Sequence, residues 1–360
     1  MREILTDLDR WSAAEEDIAM ATLVRVRGSA PRLPGARLCV TRSGKMAGSV
    51  SGGCVENDVC DRAIDVLDSR RPTIATYGIA DELGFEIGLS CGGSLDVLIE
   101  PFVPDAVWQA LRQAVDGQRP AVLCIGLAPA ELLGRKLVVL ADRRRRGSLA
   151  PELDEAVTAE ALRLLSKGGT TAIDVPWHTH VATVFVESLP PPERLFVIGA
   201  THAAAALCRI AKGFGFQVTV VDARGTYATR ERFPEADVLV RSQPGPVLAS
   251  ATLDPSSYIV VLTHDPKFDI PALTQALRSP ARYIGVMGSR STHARRRERL
   301  VEEGFGPADL ARIRAPIGLD IGARTPEEMA LSILAEMVAA KYGADGRALA
   351  AKHGAIHAAS

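Results

Sequence analysis

The stretch LFVIGATHAAAALCRIAKGFGFQVTVVDAR, residues 195–224, decides the fold class of the second half of this 360-residue chain. Two apolar runs in it predict buried parallel strands, and the Ala-rich segment between the runs predicts a helix. Asp222 closes the second run about 20 positions after Gly199, as in dinucleotide-binding βαβ units. We therefore expect a Rossmann-like parallel sheet, with a strand, a helix and a strand at residues 195–198, 203–212 and 218–221.

The turn after the first of these strands departs from the dinucleotide fingerprint at one position. The Gly-x-Gly-x-x-Gly motif appears here as Gly199-Ala-Thr-His-Ala-Ala204. Alanine is tolerated at the third glycine position, but Thr201 stands where the second glycine lets the backbone approach a pyrophosphate. The sequence therefore predicts a Rossmann-like fold and disfavours NAD(P) as its ligand.

The composition is typical of a globular protein, with 47% apolar residues, 24% charged residues and a formal net charge of −1. This balance predicts neither nucleic acid nor an anionic membrane as a partner. The N-terminal residues MREILTDLDRW carry acids, and no run of about 20 apolar residues occurs, so we expect neither an export signal nor a membrane span. Six cysteines without a Cys-x-x-Cys pair then predict reduced thiols in the cytoplasm, at positions 39, 54, 60, 91, 124 and 208.

Changes in pattern divide the chain into two predicted domains. Residues 1–188 alternate short apolar runs with turns and helical patterns, which predicts a mixed α/β domain. The run Leu189-Pro-Pro-Pro-Glu193 predicts a stiff linker, because consecutive prolines favour extended backbone. Residues 194–345 alternate strand and helix patterns as a doubly wound sheet does, and the Ala-rich residues 346–360 predict a flexible tail.

Some elements within these domains have clear signals. We predict helices at residues 3–20 and 56–69 and a strand at residues 21–27. In the C-terminal domain, Thr325 and Glu328 form a capping box around Pro326, which predicts a helix that ends before Gly343.

Two cysteines with mirrored glycine neighbours lie in the N-terminal domain, in Ser51-Gly-Gly-Cys54 and Ser90-Cys-Gly-Gly93. Glycine lets backbone N–H groups converge on an anion and lets a ligand approach closely. Cys54 also precedes a predicted helix, whose dipole favours a thiolate. The alternative is that both cysteines are small buried fillers in tight turns. The candidate cofactor-binding residues are Gly52, Gly53, Cys54, Glu56, Cys91, Gly92 and Gly93, and the candidate metal contacts are Cys54 and Cys91.

Acids and histidines of the N-terminal domain carry weaker signals. His178 and His180 would share one face of a strand and form half of a metal site, but no third ligand is evident. The acids that could serve as bases or hydrogen-bond acceptors, or simply as solvated acids of loops and a helix start, are Glu56, Asp81, Glu82 and Glu86.

Three turns of the C-terminal domain follow predicted strands, and open α/β sheets bind ligands at the carboxyl ends of their strands. His202 begins the first Rossmann helix, where a substrate phosphate would lie, and His264 ends a second strand. The turn Gly288-Ser-Arg290 opens a helix and offers N–H groups and a guanidinium to an anion. The candidate cofactor-binding residues here are Gly199, Thr201, His202, Asp222, His264, Gly288, Ser289 and Arg290.

Taken in order, the motifs of residues 20–342 resemble the XdhC/CoxI family, the accessory proteins of xanthine dehydrogenase and related molybdenum hydroxylases. Each motif is weak alone, but the ordered set is specific. The matching motifs are Gly28-Ser-Ala-Pro31, Pro34-Gly-Ala36, Gly48-Ser-Val-Ser-Gly-Gly-Cys-Val-Glu56, Gly88-Leu-Ser-Cys-Gly-Gly93, Ile99-Glu-Pro101, Arg232-Phe-Pro-Glu-Ala-Asp237, Leu262-Thr-His-Asp265, Tyr283-Ile-Gly-Val-Met-Gly-Ser-Arg290, Pro316-Ile-Gly-Leu-Asp-Ile-Gly322 and Thr325-Pro-Glu-Glu328.

The resemblance implies a cytoplasmic carrier and insertion chaperone for molybdenum cofactor rather than an enzyme. Family members are similar in binding the cofactor, protecting it while its sulfido ligand is installed with a cysteine desulfurase, and delivering it to an apo-hydroxylase. Xanthine dehydrogenase, an enzyme of purine catabolism, is one such client, and a homodimer is a further expectation. Many members carry Gly-Ala-Gly-His where this chain has Gly199-Ala-Thr-His202, which still leaves His202 and the helix N-terminus able to hold a pterin phosphate.

Three hypotheses stay open at this point. In the first, the pterin phosphate lies against a helix N-terminus, at residues 199–203 or 288–291, while molybdenum faces Cys54 or Cys91, because thiolate is a soft ligand. In the second, the chain is an NAD(P)-dependent oxidoreductase with Asp222 on the ribose and His264 as the acid. In the third, it bridges hydroxylase and desulfurase without holding cofactor.

Overall fold

The structure, a computed structural model, describes residues 1–78 and 93–351. The chain forms two compact units, which divide between Pro191 and Pro192. In the part of the chain that the structure describes, no helix is both long and apolar enough to cross a membrane.

The first module of the N-terminal unit, residues 1–101, is an antiparallel sheet with strand order β3-β2-β1-β5-β4. Its longest helix, α2, buries Val59, Ala63 and Leu67, which recur at helical spacing, in a cluster with apolar residues of the sheet. The elements of the module are α1 (Leu5–Ala13), β1 (Ile18–Arg27), β2 (Arg37–Thr41), β3 (Met46–Gly48), α2 (Glu56–Ser69), β4 (Thr73–Tyr77) and β5 (Ser94–Pro101).

The second module, residues 106–189, is a further antiparallel sheet, with strand order β8-β7-β6-β10-β9. Its elements are α3 (Ala106–Asp116), β6 (Ala121–Ala128), β7 (Lys136–Leu140), β8 (Arg145–Gly147), α4 (Pro151–Lys167), β9 (Thr170–Trp177) and β10 (His180–Leu189). One apolar cluster joins the two modules, because Val24 and Leu98 of the first module pack with Leu111, Leu123 and Phe185 of the second.

The two modules repeat one arrangement of elements: a helix, three strands, a helix and two strands, in the same strand order. Gly48 and Gly147 end the third strand of each module with φ of 84° and 82°. A Cβ on either glycine would overlap the carbonyl oxygen of the residue that begins the second strand, Arg37 or Lys136. The N-terminal unit is therefore an internal structural repeat, which the sequence analysis does not predict.

The C-terminal unit contains a six-stranded parallel sheet with strand order β13-β12-β11-β14-β15-β16, which confirms the predicted Rossmann-like fold. Helices α5 and α10 share one apolar cluster, and α7 and α8 belong to another. The elements are β11 (Arg194–Ile198), α5 (His202–Gly213), β12 (Gln217–Val221), β13 (Val238–Val240), α6 (Pro244–Ser250), β14 (Ser257–Val261), α7 (Pro266–Leu277), β15 (Tyr283–Val286), α8 (Arg290–Glu302), α9 (Pro307–Leu310), β16 (Ile313–Arg314) and α10 (Pro326–Tyr342).

Local signals locate several elements correctly. Helix α2 covers the predicted residues 56–69, and α10 begins after the capping box of Thr325 and Glu328. Gly343 ends α10 in the left-handed conformation, with φ of 65°.

Two predictions for the N-terminal unit are wrong. The helix predicted over residues 3–20 ends at Ala13, because Ile18 to Met20 instead begin β1 and pair with β2. His178 and His180 do not share a strand face, since His178 lies in the turn between β9 and β10 with φ of 52°. Among the described residues, no group of three or more His, Cys, Asp or Glu side chains could hold a metal ion.

Candidate functional site

The loop between β3 and α2, residues 49–55, folds around the carboxylate of Glu56. Oε1 accepts hydrogen bonds from the backbone N–H groups of Ser51 (2.9 Å) and Gly52 (3.1 Å), and Oε2 accepts one from Gly53 (2.9 Å). The hydroxyl groups of Ser49 and Ser51 donate to the same carboxylate. The glycines let the loop turn this tightly, because Gly52 and Gly53 have φ of 80° and 114°.

These hydrogen bonds decide the charge of Glu56. Burial alone would raise the pKa of its carboxyl, but the bonds from Ser49 and Ser51 outweigh burial and lower the pKa from 4.5 to about 2. Glu56 is therefore an anion at neutral pH, and the acceptor role predicted for it is directed at its own loop. The N–H groups of Gly52 and Gly53, expected to bind an outside anion, are already occupied.

Cys54 lies on this fixed loop and is exposed. Its own N–H donates to Ser51 Oγ (2.9 Å), and it directly precedes Val55, the N-cap of α2. The buried-filler alternative is therefore wrong for Cys54. Its thiol is presented to solvent directly before the N-terminal end of α2.

The other cysteines of the described residues are less available. Cys39, Cys124 and Cys208 are buried, and burial raises the pKa of each thiol to about 12. Cys60 is half-buried on α2, with its Sγ 3.6 Å from Met46 Sδ. Cys54 is thus the one exposed thiol in the described part of the chain.

The loop between β1 and β2, residues 28–36, lies beside the loop of residues 49–55, which we call the Cys54 loop. A Cβ built on Gly52 would lie 3.6 Å from Pro31 Cβ, and one built on Gly93 would overlap the carbonyl oxygen of Ser29. Gly93, predicted as a binding residue, therefore serves close backbone packing against residue 29. The predicted residues Asp81, Glu82, Glu86, Cys91 and Gly92 lie outside the described residues.

The end of β1 carries a charged group that the sequence analysis does not predict. The guanidinium of Arg27 donates to Asp96 Oδ2 (3.0 Å), and Arg25 Nη1 lies 3.6 Å from the same oxygen. The hydroxyl of Thr76 donates to Asp96 Oδ1 (3.1 Å). Arg25 and Arg27 are two apart at the end of a strand, directly before Gly28, and that spacing could have signalled a basic edge.

In the C-terminal unit, the turn between β11 and α5 is fixed by the chain itself. Gly199 has φ of 101°, and a Cβ there would overlap the side chain of Thr263. Thr201 is the N-cap of α5, and its hydroxyl accepts the N–H of Ala204 (3.2 Å). The threonine at the second glycine position thus gains a capping role, and His202 is exposed at the first position of the helix.

Asp222 is not free to bind a ribose. Its Oδ2 accepts the N–H of Ala200 (2.8 Å), and the guanidinium of Arg224 donates to both carboxylate oxygens (3.0 and 2.8 Å). Burial would raise the pKa of this carboxyl, but the bonds from Arg224 and Ala200 lower it. Arg224 also lies 4.4 Å from the ring centroid of Tyr227. Asp222 therefore ties the β11–α5 turn to Arg224.

The parallel register brings three predicted turns to one edge of the C-terminal sheet, because Ile198, Val261 and Val286 end neighbouring strands. His264 is exposed after β14, and Arg290 is exposed at the start of α8. Ser289 caps α8 by accepting the N–H of Thr292 (3.2 Å).

A buried arginine, Arg296, stabilises the turn before α8. Arg296 donates to the carbonyl oxygen of Met287 (2.8 Å) and forms a buried ion pair with Asp269. A Cβ on Gly288 would lie 2.8 Å from Arg296 Nη1, so glycine makes room for this contact. Gly288 is therefore a packing residue of the turn.

Comparison with known proteins identifies the family. A model described as the XdhC Rossmann domain matches residues 195–337, and one described as the XdhC and CoxI family matches residues 11–78. The chain belongs to the XdhC and CoxI family. This confirms the resemblance seen in the motifs.

Several known proteins match nearly the whole chain. The chain is 29% identical to a Bacillus subtilis protein named as a probable xanthine dehydrogenase subunit, over 92% of this chain and 96% of the relative. It is 26% identical to the Escherichia coli molybdenum cofactor insertion chaperone PaoD, over 89% of this chain and 83% of the relative. A Bacillus halodurans crystal structure, described as a xanthine dehydrogenase, superposes with a TM-score of 0.74 at 26% identity and covers 97% of both chains.

Replacing Glu56 by Gln is expected to lower the free energy of unfolding by about 2–3 kcal/mol at pH 7, because an amide accepts these hydrogen bonds more weakly than a carboxylate. The folded-state pKa of Glu56 lies below 4.5, so its contribution is complete above that pH and is lost as the pH falls toward 2. Urea unfolding at pH 7 and pH 3 measures the difference in the free energy of unfolding between wild type and Glu56→Gln. This difference should be smaller at pH 3 than at pH 7.

Asp154→Asn is the matched control, because Asp154 lies in the first turn of α4 in the second module and accepts the N–H of Leu149 (2.8 Å). Its effect should be no more than about 1 kcal/mol. A Glu56→Gln effect as small as this, or one that does not change with pH, would contradict the assigned role of Glu56.

Proposed function

We propose that this protein binds molybdenum cofactor as cargo and takes part in the maturation of a molybdenum hydroxylase. Membership of the XdhC and CoxI family and the similarity to PaoD support this role. The structural observation that carries the proposal is Cys54, a thiol exposed on a loop whose backbone is fixed by Glu56.

The Cys54 loop suits a molybdenum contact for two reasons. Cysteine sulfur is a soft ligand, and Cys54 presents its thiol to solvent. The loop N–H groups also stay bonded to Glu56, so cargo can bind and leave without the loop refolding. We propose Cys54 as a molybdenum contact, with Cys91 as the other candidate.

Within the C-terminal unit, the carboxyl edge of the sheet carries groups that suit a phosphate. The N-terminus of α5 carries exposed His202, and the N-terminus of α8 carries exposed Arg290 beside Ser289. Helix N–H groups and a guanidinium are both good hydrogen-bond donors to phosphate. Arg224, on the Asp222 side of the α5 turn, adds a second guanidinium.

The finer steps follow family behaviour. We propose that the bound cofactor receives its sulfido ligand with the help of a cysteine desulfurase and then passes to an apo-hydroxylase such as xanthine dehydrogenase. A cytoplasmic location and a homodimer belong to the same proposal. In this proposal, a binding residue predicted from sequence contacts the cofactor where its side chain is exposed. It supports its loop or turn where its groups are already hydrogen-bonded within the chain.

The two alternatives have less support. An NAD(P)-dependent oxidoreductase would need Asp222 to accept ribose hydroxyls, but its oxygens are bonded to Ala200 and Arg224. A cofactor-free scaffold gives no reason for a solvent-exposed thiol on so constrained a loop.

Cys54→Ala is expected to reduce uptake of added molybdenum cofactor at least about tenfold, because the loss of one metal–thiolate bond exceeds the 1.4 kcal/mol that a factor of ten requires. The measurement incubates the purified chain with free cofactor, removes the excess and quantifies molybdenum and oxidised pterin. Cys60→Ala is the control, since Cys60 is half-buried on α2, the helix that follows the loop of Cys54. Equal uptake by both variants would reject the thiolate role.

Arg290→Ala is expected to weaken uptake of the same cofactor by about fivefold, through loss of one phosphate contact, and the effect should shrink at high salt. Arg295→Ala is the control, because Arg295 is exposed further along α8. A loss that is the same in both variants would indicate general electrostatic attraction and contradict a phosphate site at this turn.

A further inference from the structure

The internal repeat of the N-terminal unit places two ion pairs at equivalent positions. Arg37 begins β2 and donates to both carboxylate oxygens of Glu187 in β10 (2.9 and 2.5 Å). Lys136 begins β7 and donates to Glu100 Oε2 in β5 (2.7 Å). Each pair joins the second strand of one module to the last strand of the other.

The strand registers show that these residues are true equivalents. Arg37 pairs with Thr22 of β1, and Lys136 pairs with Ile125 of β6. Glu100 pairs two residues before Thr22 in β1, with Met20, and Glu187 pairs two residues before Ile125 in β6, with Leu123. The two ion pairs are therefore related by the repeat.

Each ion pair lies against the loop that joins the first two strands of a module. Arg37 Nη1 donates to the carbonyl oxygen of Gly35 (3.0 Å), and a Cβ on Gly35 would lie 3.3 Å from Glu187 Oε1. In the second module a Cβ on Gly134 would lie 3.6 Å from Glu100 Oε2. The Arg37–Glu187 pair is almost completely buried, with side chains 0% and 6% exposed.

Only the first module has a second loop, the Cys54 loop, beside the loop that its ion pair contacts. Residues 28–36 approach Gly52 through Pro31 and Gly93 through Ser29. In the second module, Ala150 and Pro151 begin α4 directly where the first module carries Ser51 to Val55. The two modules thus share a framework but differ at this edge.

We propose that Arg37 and Glu187 are positioning residues for the Cys54 loop, so that the second module holds the candidate site of the first in place. Glu187 fixes Arg37 and Gly35, the loop of residues 28–36 then packs against Gly52, and Gly52 belongs to the loop that carries Cys54. The link is mechanical, and it rests on the proposed function only for the identity of the cargo.

The equivalent pair supplies a matched control within the same chain. The test compares Arg37→Met/Glu187→Leu with Lys136→Met/Glu100→Leu, because replacing both partners of a pair leaves no uncompensated buried charge. Amide hydrogen exchange, read by mass spectrometry on the full chain, reports on two equivalent amides. Gly35 N–H donates to Leu23 O (2.8 Å), and Gly134 N–H donates to Gly126 O (3.0 Å).

In Arg37→Met/Glu187→Leu, exchange should accelerate by about tenfold in peptides covering residues 28–36 and 49–55, and stay unchanged at residues 129–135. In the control variant, acceleration should be confined to residues 129–135. The milder Arg37→Lys keeps the charge but loses the bidentate pair, so it should give an intermediate acceleration at residues 28–36 and 49–55, and it serves if the double variant does not fold.

Unchanged exchange at residues 49–55 in the Arg37 variants, or equal acceleration there in the control, would overturn the positioning role. Cofactor uptake, measured in parallel, separates this result from the proposed function. If the wild type takes up no cofactor, the proposed cargo is rejected. The exchange pattern would still test whether Arg37 and Glu187 position the Cys54 loop.

Discussion

The hydrogen bonds that the Glu56 carboxylate accepts are the constraint on which the candidate site depends. One buried anion gathers N–H and hydroxyl groups from a seven-residue loop at the start of α2. Ordering a loop rich in glycine and serine costs much conformational entropy, and these hydrogen bonds offset that cost. Because the carboxylate belongs to the helix itself, the loop is ordered without a ligand, and Cys54 is presented to solvent in a fixed place.

The internal repeat separates framework from function in the N-terminal unit. Both modules keep the strand order, the glycine that ends the third strand and a cross-module ion pair. The first module adds the Ser-Gly-Gly-Cys loop at one edge, where the second begins a helix with Ala150 and Pro151. A shared framework with one elaborated edge is a reason to assign binding to the first module and support to the second.

Sequence reasoning succeeded where the signal is local. The capping box at Thr325 and the apolar spacing of residues 56–69 located their helices, and the βαβ pattern located the parallel sheet. It failed where long-range pairing decides, as at Ile18 to Met20, whose pairing with β2 makes them strand. The roles of Glu56 and Asp222 were also out of reach, because an acid's partners depend on how the chain folds back on it.

The most direct test of the central claim is the cargo carried by the wild-type chain when it is expressed in cells that make molybdenum cofactor. Molybdenum and the fluorescent oxidation product of the pterin would be quantified per chain after purification. The account expects both in near-equal and near-stoichiometric amounts. Absence of both, together with no uptake when the purified chain is incubated with free cofactor, would contradict it.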